Sequence, residues 1–247
     1  FMAEVHDLKG IFSESGSLAG VIPDYDSRSQ QMEMSDIIYR ALLEGGHVLV
    51  EAGTGTGKTF AYLAPAILSG KKVIISTGTK ALQEQLFYKD IPLIRKALPI
   101  RFFASYMKGR SNYLCLNRFI KFGALSLFDT PGEGRLFRRV QQWAVKTKTG
   151  DVADLYGVDE NSPLWRRINS GAETCMGSKC PNIEKCFITL MRREAVKADI
   201  LIVNHHLFFA DLSIKEKGYG EVIPAYDAVI FDEAHLIEDV ATHYFGF

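Results

Sequence analysis

Apolar residues in this sequence occur in two patterns that predict alternating strands and helices. Short continuous apolar runs rich in β-branched residues are typical of strands buried on both faces. They occur at 47–52, 71–77, 101–107, 198–206 and 226–235. Segments with the spacing of a helix lie at 29–43, 58–68 and 79–91. Strands that alternate with helices in this way predict an α/β fold with a parallel sheet and helices on both faces.

The middle of the chain interrupts this alternation. Residues 108–195 contain all four cysteines, both tryptophans and few segments typical of strands. We therefore expect a mostly helical, cysteine-rich insertion at 108–195. The α/β domain around it would consist of 1–107 and 196–247.

Charge and hydropathy narrow the class of protein. The 29 basic and 29 acidic residues cancel, which excludes a wholly basic nucleic-acid-binding protein but leaves room for a local basic groove. No apolar run has the length of a membrane span, and the first twenty residues do not resemble a secretory signal. These features predict a cytoplasmic protein with no membrane partner.

The segment VEAGTGTGKTFAYL at 50–63 carries the most specific motif. It follows a predicted strand, opens a predicted helix and fits the P-loop pattern with alanine in place of the first glycine. Its glycines let successive backbone N–H groups point at phosphate oxygens, and the helix N-terminus adds positive charge. A flexible linker would require neither the flanking elements nor the Lys-Thr pair. The predicted ATP-binding residues here are Ala52, Gly53, Thr54, Gly55, Thr56, Gly57, Lys58 and Thr59.

The segment AVIFDEAH at 228–235 supplies the acidic residues that a P-loop needs. Thr59 and Asp232 are predicted to bind Mg²⁺, the latter through its water shell. Glu233 is predicted to orient or deprotonate the attacking water, with Lys58 contacting the β and γ phosphates. An acidic strand cap is the alternative interpretation. His235 either couples the nucleotide site to movement or forms a local hydrogen bond.

Four further segments carry a family resemblance. With the P-loop and DEAH, they resemble the Rad3/XPD-type iron–sulfur helicases of superfamily 2, in the DinG/YoaA branch. These segments are YDSRSQQMEM (25–34), VIISTGTKALQEQL (73–86), MKGRSNYLC (107–115) and ADILIVNHHLFFADL (198–212). The resemblance implies a RecA-like motor domain that uses ATP and Mg²⁺ to move 5′ to 3′ on single-stranded DNA, in DNA repair or replication-fork rescue.

The same resemblance assigns residues to ligands. Gln31 stands where the family reads adenine. Single-stranded DNA would contact Thr77, Thr79, Lys80, Lys108, Arg110, Asn112 and Tyr113. Composition alone favours a solvated turn for the KGR segment. For His205, beside Asn204 and His206 at a strand end, a hydrogen-bonded packing role is favoured over metal binding.

The four cysteines have the spacing Cys115-x59-Cys175-x4-Cys180-x5-Cys186. Structural zinc, an iron–sulfur cluster and free thiols are all compatible with this spacing. The family resemblance implies a [4Fe–4S] cluster with these four cysteines as ligands. Its role would be to hold the insertion in shape beside the motor.

The expected partners are single-stranded and forked duplex DNA, a replication or repair protein, and no second copy of the chain. The family's arch and second motor domain have no counterpart here, so we expect weak or no hydrolysis by this chain alone. Two other classes stay open. One is a module that only binds ATP, single-stranded DNA or a partner, and the other is a P-loop ATPase with structural zinc.

Overall fold

The computed structural model describes residues 8–53, 55–125, 128 and 130–246. These residues form two compact units. The first unit takes its residues from 1–106 and 195–247, and the second from 107–194. Among the described residues, none of the helices has the length and apolar character needed to cross a bilayer.

The helices are named here in chain order. They are α1 (Leu8–Phe12), α2 (Ser29–Glu44), α3 (Lys58–Leu68), α4 (Lys80–Gln85), α5 (Ile91–Ala97), α6 (Leu116–Leu125), α7 (Pro131–Ala144), α8 (Pro163–Ile168), α9 (Phe187–Lys197), α10 (His205–Glu216) and α11 (Ile237–Phe245). A π-helical segment, Leu86–Asp90, joins α4 to α5, so the helix predicted at 79–91 is not uniform.

The first unit is built on a parallel sheet. Its strands are β1 (Val73–Thr77), β2 (Ala104–Tyr106), β3 (Ile200–Asn204) and β4 (Ala228–Phe231). They are ordered β2-β3-β1-β4, and each neighbouring pair is parallel. All residues of β1 and β3 are buried, as expected for strands covered on both faces. The predicted α/β fold with a parallel sheet is confirmed.

The register of this sheet places the ends of three strands side by side. Thr77 at the end of β1 lies opposite Asn204 at the end of β3. On the other side of β1, Ser76 pairs with Phe231, the last residue of β4. The segments that follow these strands therefore leave the sheet at the same edge, which is where parallel α/β sheets place their ligands.

The predicted buried strand at 47–52 is wrong. Among the described residues no strand pairs with this segment, and its apolar side chains face solvent. Leu49 is 93% exposed, and Val48 and Val50 are also exposed. The segment contains β-branched residues, which favour a strand, but a strand also requires a neighbouring strand for its backbone hydrogen bonds. Local composition cannot supply that neighbour.

The second unit is helical and has its own core. Helices α6, α7 and α8 contribute to an apolar cluster that includes Trp165 of α8. Trp165 is fully buried, and its indole Nε1 donates to Ser111 O at 2.8 Å. Two isolated antiparallel bridges, Tyr113 with Asp151 and Leu114 with Asn169, connect distant segments. The unit is thus stabilised by a separate apolar cluster and by contacts of the 111–114 segment.

Candidate nucleotide site

The P-loop segment forms a tight turn that ends at the first residue of α3. Gly55 and Gly57 have φ values of 77° and 78°, in the left-handed region that favours glycine. A Cβ atom at Gly57 would lie 2.3 Å from Gln31 Nε2, so a larger residue cannot fit without displacing Gln31. Helix α3 begins at Lys58, and its unpaired N–H groups point toward the turn.

Internal hydrogen bonds close this turn. Lys58 Nζ donates to Ala52 O at 3.1 Å, and Thr56 Oγ1 donates to Gly53 O at 2.9 Å. The lysine ammonium therefore already lies over the turn where phosphate oxygens are predicted to bind. Thr54 lies outside the described residues. Lys58 Nζ and Thr56 Oγ1 can donate to a bound anion in place of these carbonyl groups.

The first turn of α2 and the segment before it contact the P-loop turn. Gln31 is buried; its Nε2 donates to Gly57 O at 2.9 Å, and its Oε1 accepts from Tyr25 OH at 3.0 Å. The Arg28 guanidinium donates to Gly55 O. Both ends of the Gln31 amide are thus engaged within the protein, and its contact with adenine stays a prediction. Sequence reasoning missed Tyr25 and Arg28, although both lie in the YDSRSQQMEM segment.

The acidic motif lies beside the first turns of α3. Asp232 N donates to Ser76 O at 2.8 Å, and Asp232 Oδ2 accepts from Tyr62 OH at 3.2 Å. Burial raises the pKa of Asp232, whereas the Tyr62 hydrogen bond and the Lys58 ammonium act in the opposite direction. The charge of Lys58 therefore acts on Asp232, and the joint role of these two residues in binding ATP stays a prediction.

Two residues of this site carry no sequence signal. Tyr62 is buried, and burial followed by the charge of Asp232 raises its pKa well above the usual value. Asp90 ends the π-helical segment, and its pKa is raised to about 6. Burial is the largest cause; the charge of Lys89 acts in the opposite direction, and that of Asp232 adds to the increase. Their proximity to Asp232 arises from helix packing, which a linear motif does not report.

Glu233 has an unusual backbone conformation. Its φ of 58° places it in the left-handed region, which non-glycine residues rarely adopt. Its Oε2 lies 3.4 Å from Nδ1 of His235, whose side chain is 69% exposed. This distance is compatible with a local contact of His235, and both predicted roles of this histidine stay open.

The DNA contacts predicted in the first unit differ in exposure. Thr77 is buried, and its Oγ1 donates to Thr79 O at 3.2 Å. Thr79 is exposed and caps α4, because its Oγ1 accepts from Leu82 N at 3.2 Å. Lys80, the first residue of α4, is partly exposed. Thr79 and Lys80 therefore offer the accessible groups, and Thr77 shapes the turn between them and β1.

The DNA contacts predicted in the second unit are mostly internal. Lys108 Nζ lies 2.7 Å from Asp151 Oδ2, and these side chains are only 2% and 1% exposed. Asn112 and Tyr113 are buried; Asn112 Nδ2 donates to Gly109 O at 2.8 Å, and Tyr113 OH accepts from Lys108 N at 3.1 Å. Arg110 is partly exposed. In this structure the KGRSNY segment stabilises the unit, and only Arg110 offers a charge at the surface.

The four cysteines are free thiols in the second unit. Across residues 8–53, 55–125, 128 and 130–246, no three His, Cys, Asp or Glu side chains are grouped so that they could hold a metal ion. The segments after Cys115 and Cys175 nevertheless meet, since Asn117 Nδ2 lies 3.5 Å from Met176 Sδ. The chemistry of the donor set fits a cluster, but the present side-chain arrangement does not form its site.

A glycine-rich turn before a helix, a lysine at the helix start and an aspartate at a neighbouring strand end define a P-loop nucleotide-binding protein. Comparison with protein families narrows this class. Residues 30–147 match the model of the DEAD/DEAH box helicase family, so this segment is similar to that family.

The chain is also similar to two groups of bacterial proteins. It is 44% identical to the ATP-dependent DNA helicase YoaA of Haemophilus influenzae over 98% of the chain, and 46% identical to YoaA of Escherichia coli over 95%. It is 37% identical to the ATP-dependent helicase DinG of Mycobacterium tuberculosis over 87%. The predicted resemblance to the DinG/YoaA branch is confirmed. The chain spans 38%, 37% and 35% of the length of these three relatives.

Proposed function

We propose that this chain is the nucleotide-binding part of an ATP-dependent DNA helicase that moves 5′ to 3′ on single-stranded DNA. The observation that carries this proposal is the joint site of Lys58 and Asp232, connected to α3 through the Tyr62 hydrogen bond at 3.2 Å. The names of the relatives supply the substrate class, since YoaA is named a DNA helicase.

The residues of the site act on ATP in distinct ways. The N–H groups of the turn at 53–57 and of the α3 N-terminus bind the phosphates, and Gly57 permits the backbone to approach them. Lys58 exchanges its bond to Ala52 O for phosphate oxygens. When bound beside Thr59 and Asp232, Mg²⁺ neutralises charge that develops on the phosphates.

Glu233 is the residue that we assign to the attacking water. Its carboxylate would accept a hydrogen bond from the water and orient it toward the terminal phosphate. The left-handed backbone at Glu233 fixes the direction in which its side chain leaves the end of β4. Asp90 and Tyr62 act on Asp232 through charge and hydrogen bonding rather than on the substrate itself.

Other parts of the chain would provide the grip on DNA and the cluster. Thr79, Lys80 and Arg110 are the accessible candidates for single-stranded DNA. We assign Cys115, Cys175, Cys180 and Cys186 to a [4Fe–4S] cluster because four unpaired thiols lie in one compact unit. We place the protein in the cytoplasm as a monomer. It would act on forked DNA with a repair or replication partner, in repair or fork rescue.

The hydrolytic assignment is tested in the natural full-length protein that contains this sequence. Glu233→Gln should retain ATP binding but lower the ATP turnover by about a hundredfold or more, because a general base typically contributes that much. Glu238→Gln, an exposed residue of α11, is the matched control and should leave turnover unchanged. Turnover by Glu233→Gln equal to wild type would contradict the assignment.

The cysteine assignment has its own measurement. Iron, acid-labile sulfide and zinc should be determined on one anaerobically purified sample. About four irons per chain would support the cluster assignment. One zinc without iron would instead favour a P-loop ATPase with a structural zinc site.

A further inference from the structure

A buried serine–histidine pair lies behind the acidic motif. Ser76 Oγ is 2.7 Å from His205 Nδ1, and both side chains are completely buried. Ser76 belongs to β1, two residues before the turn that begins α4. His205 is the first residue of α10, directly after β3. The pair therefore joins two of the strand ends that meet at the ligand edge of the sheet.

The other ring nitrogen of His205 faces the acidic motif. His205 Nε2 is buried and lacks a hydrogen-bond partner within the described part of the chain. Burial lowers the pKa of His205, whereas the backbone of Glu233 and that of Asp232 raise it. The imidazole thus lies between Ser76 on one side and the Asp232–Glu233 backbone on the other. A buried polar nitrogen without a partner is costly, so such a group is rarely kept without a purpose.

A second contact links the same two regions. A Cβ atom at Gly78 would lie 2.4 Å from Leu236 Cδ1 and 3.6 Å from Glu233 Cβ. The turn after β1 therefore packs directly against the segment that follows the acidic residues. Ser76 also contributes through its backbone, because Ser76 O accepts from Asp232 N at 2.8 Å.

We infer that His205 is a positioning residue for Glu233, tying the β1–α4 turn to the backbone whose conformation decides where the Glu233 carboxylate points. The inference rests on the proposed function, in which Thr79 and Lys80 of this turn contact DNA. A DNA strand on the turn shifts Ser76 and Gly78, and His205 and Leu236 carry the shift to Glu233. The vacant Nε2 provides a donor for the peptide carbonyl that the shifted backbone presents.

The test compares ATP turnover with and without a single-stranded oligonucleotide in the natural full-length protein. Ser76→Ala and His205→Leu should each lower the ratio of stimulated to basal turnover by about fivefold or more, the usual range for coupling between sites. The KM for ATP should stay unchanged, since neither residue contacts the P-loop turn. His205→Gln places an amide nitrogen at the position of Nε2 but removes Nδ1, the partner of Ser76, so it should lower the ratio as Ser76→Ala does.

Two further variants separate coupling from damage to the fold. The double variant Ser76→Ala/His205→Leu should lower the ratio no further than His205→Leu alone, because both changes remove one connection. Ser213 is a buried serine of α10, the helix that begins with His205. Ser213→Ala is the matched control and should keep the wild-type ratio. If His205→Leu does not fold, Ser76→Ala and His205→Gln still give the two required ratios.

The outcomes distinguish the inference from the proposed function. A wild-type protein whose turnover does not respond to DNA would overturn the proposed function and this inference with it. A wild-type protein that responds, together with variants of unchanged ratio or with equal losses in basal and stimulated turnover, would overturn the inference alone.

Discussion

The buried pair of Lys108 and Asp151 gives a prediction whose size follows from the structure. The ions lie 2.7 Å apart with side chains 2% and 1% exposed, and Asp151 Oδ1 also accepts from Ala153 N at 3.1 Å. Lys108→Met removes one ion and leaves a buried carboxylate. Breaking such a pair typically costs about 3–5 kcal/mol in the free energy of unfolding.

Tryptophan fluorescence during urea unfolding measures this loss in the relevant unit. The chain contains two tryptophans, Trp143 and Trp165, and both lie in the second unit. Urea lowers the unfolding free energy by roughly 1–3 kcal/mol per molar. A loss of the predicted size therefore shifts the fluorescence midpoint by about 1 M or more toward lower urea.

Two variants control this experiment. Lys108→Met/Asp151→Asn removes both charges while keeping an acceptor for Ala153 N, so it should recover most of the stability. Arg193→Met removes an exposed partner of Glu184, whose side chains are 54% and 80% exposed, and should cost no more than about 1 kcal/mol. An unchanged midpoint in Lys108→Met, accompanied by weaker DNA binding, would refute the structural role and restore Lys108 as a surface contact.

The stability loss in Lys108→Met should also depend on pH. Burial raises the pKa of Asp151, and the hydrogen bond and charge of Lys108 lower it. Without Lys108 that pKa rises further, and the folded variant binds a proton at Asp151 more tightly than the unfolded chain. The loss in Lys108→Met should therefore be smaller at acidic pH and larger as pH rises.

Three further predictions concern the nucleotide site. Gly57→Ala should weaken ATP binding by about tenfold or more in a fluorescent-analogue titration, because its Cβ meets Gln31; Gly70→Ala, with φ 65° and no atom within 4 Å, shares the backbone strain and should bind ATP normally. Tyr62→Phe removes the hydrogen-bond donor to Asp232 and should change the Mg²⁺ concentration needed for half-maximal ATP binding by up to about tenfold. An unchanged Mg²⁺ concentration would argue against a role of this hydrogen bond. The pKa of Asp90 is raised from 3.8 to about 6, so its ionisation lowers wild-type stability as pH rises from about 4 to above 6. In thermal unfolding, Asp90→Asn should be more stable than wild type above this pH range and equally stable below it.

Much of the α/β unit is predictable because its signals are local. The helices predicted at 29–43 and 58–68 are observed as Ser29–Glu44 and Lys58–Leu68. The strand ends near 77, 204 and 231 also follow from apolar runs that stop at polar residues. Each of these elements is specified by its own composition and periodicity, and the parallel sheet follows from their alternation.

The contributions that depend on packing are the ones that the sequence hides. Lys108 and Tyr113 carry polar groups that are typical of a DNA contact, yet the fold buries both of them. Asp90 and Tyr62 lie beside Asp232 only because distant helices pack together. Residue type thus predicts what a side chain can do, whereas its actual partner is decided by segments far away in the chain.

The closed P-loop turn has a consequence for the energetics of nucleotide binding. Lys58 and Thr56 donate to Ala52 O and Gly53 O within the turn, so nucleotide binding must exchange these hydrogen bonds for bonds to phosphate. ATP gains only the difference between the new hydrogen bonds and those it displaces. Release of product would then be assisted by the same carbonyl groups that the nucleotide displaced on arrival.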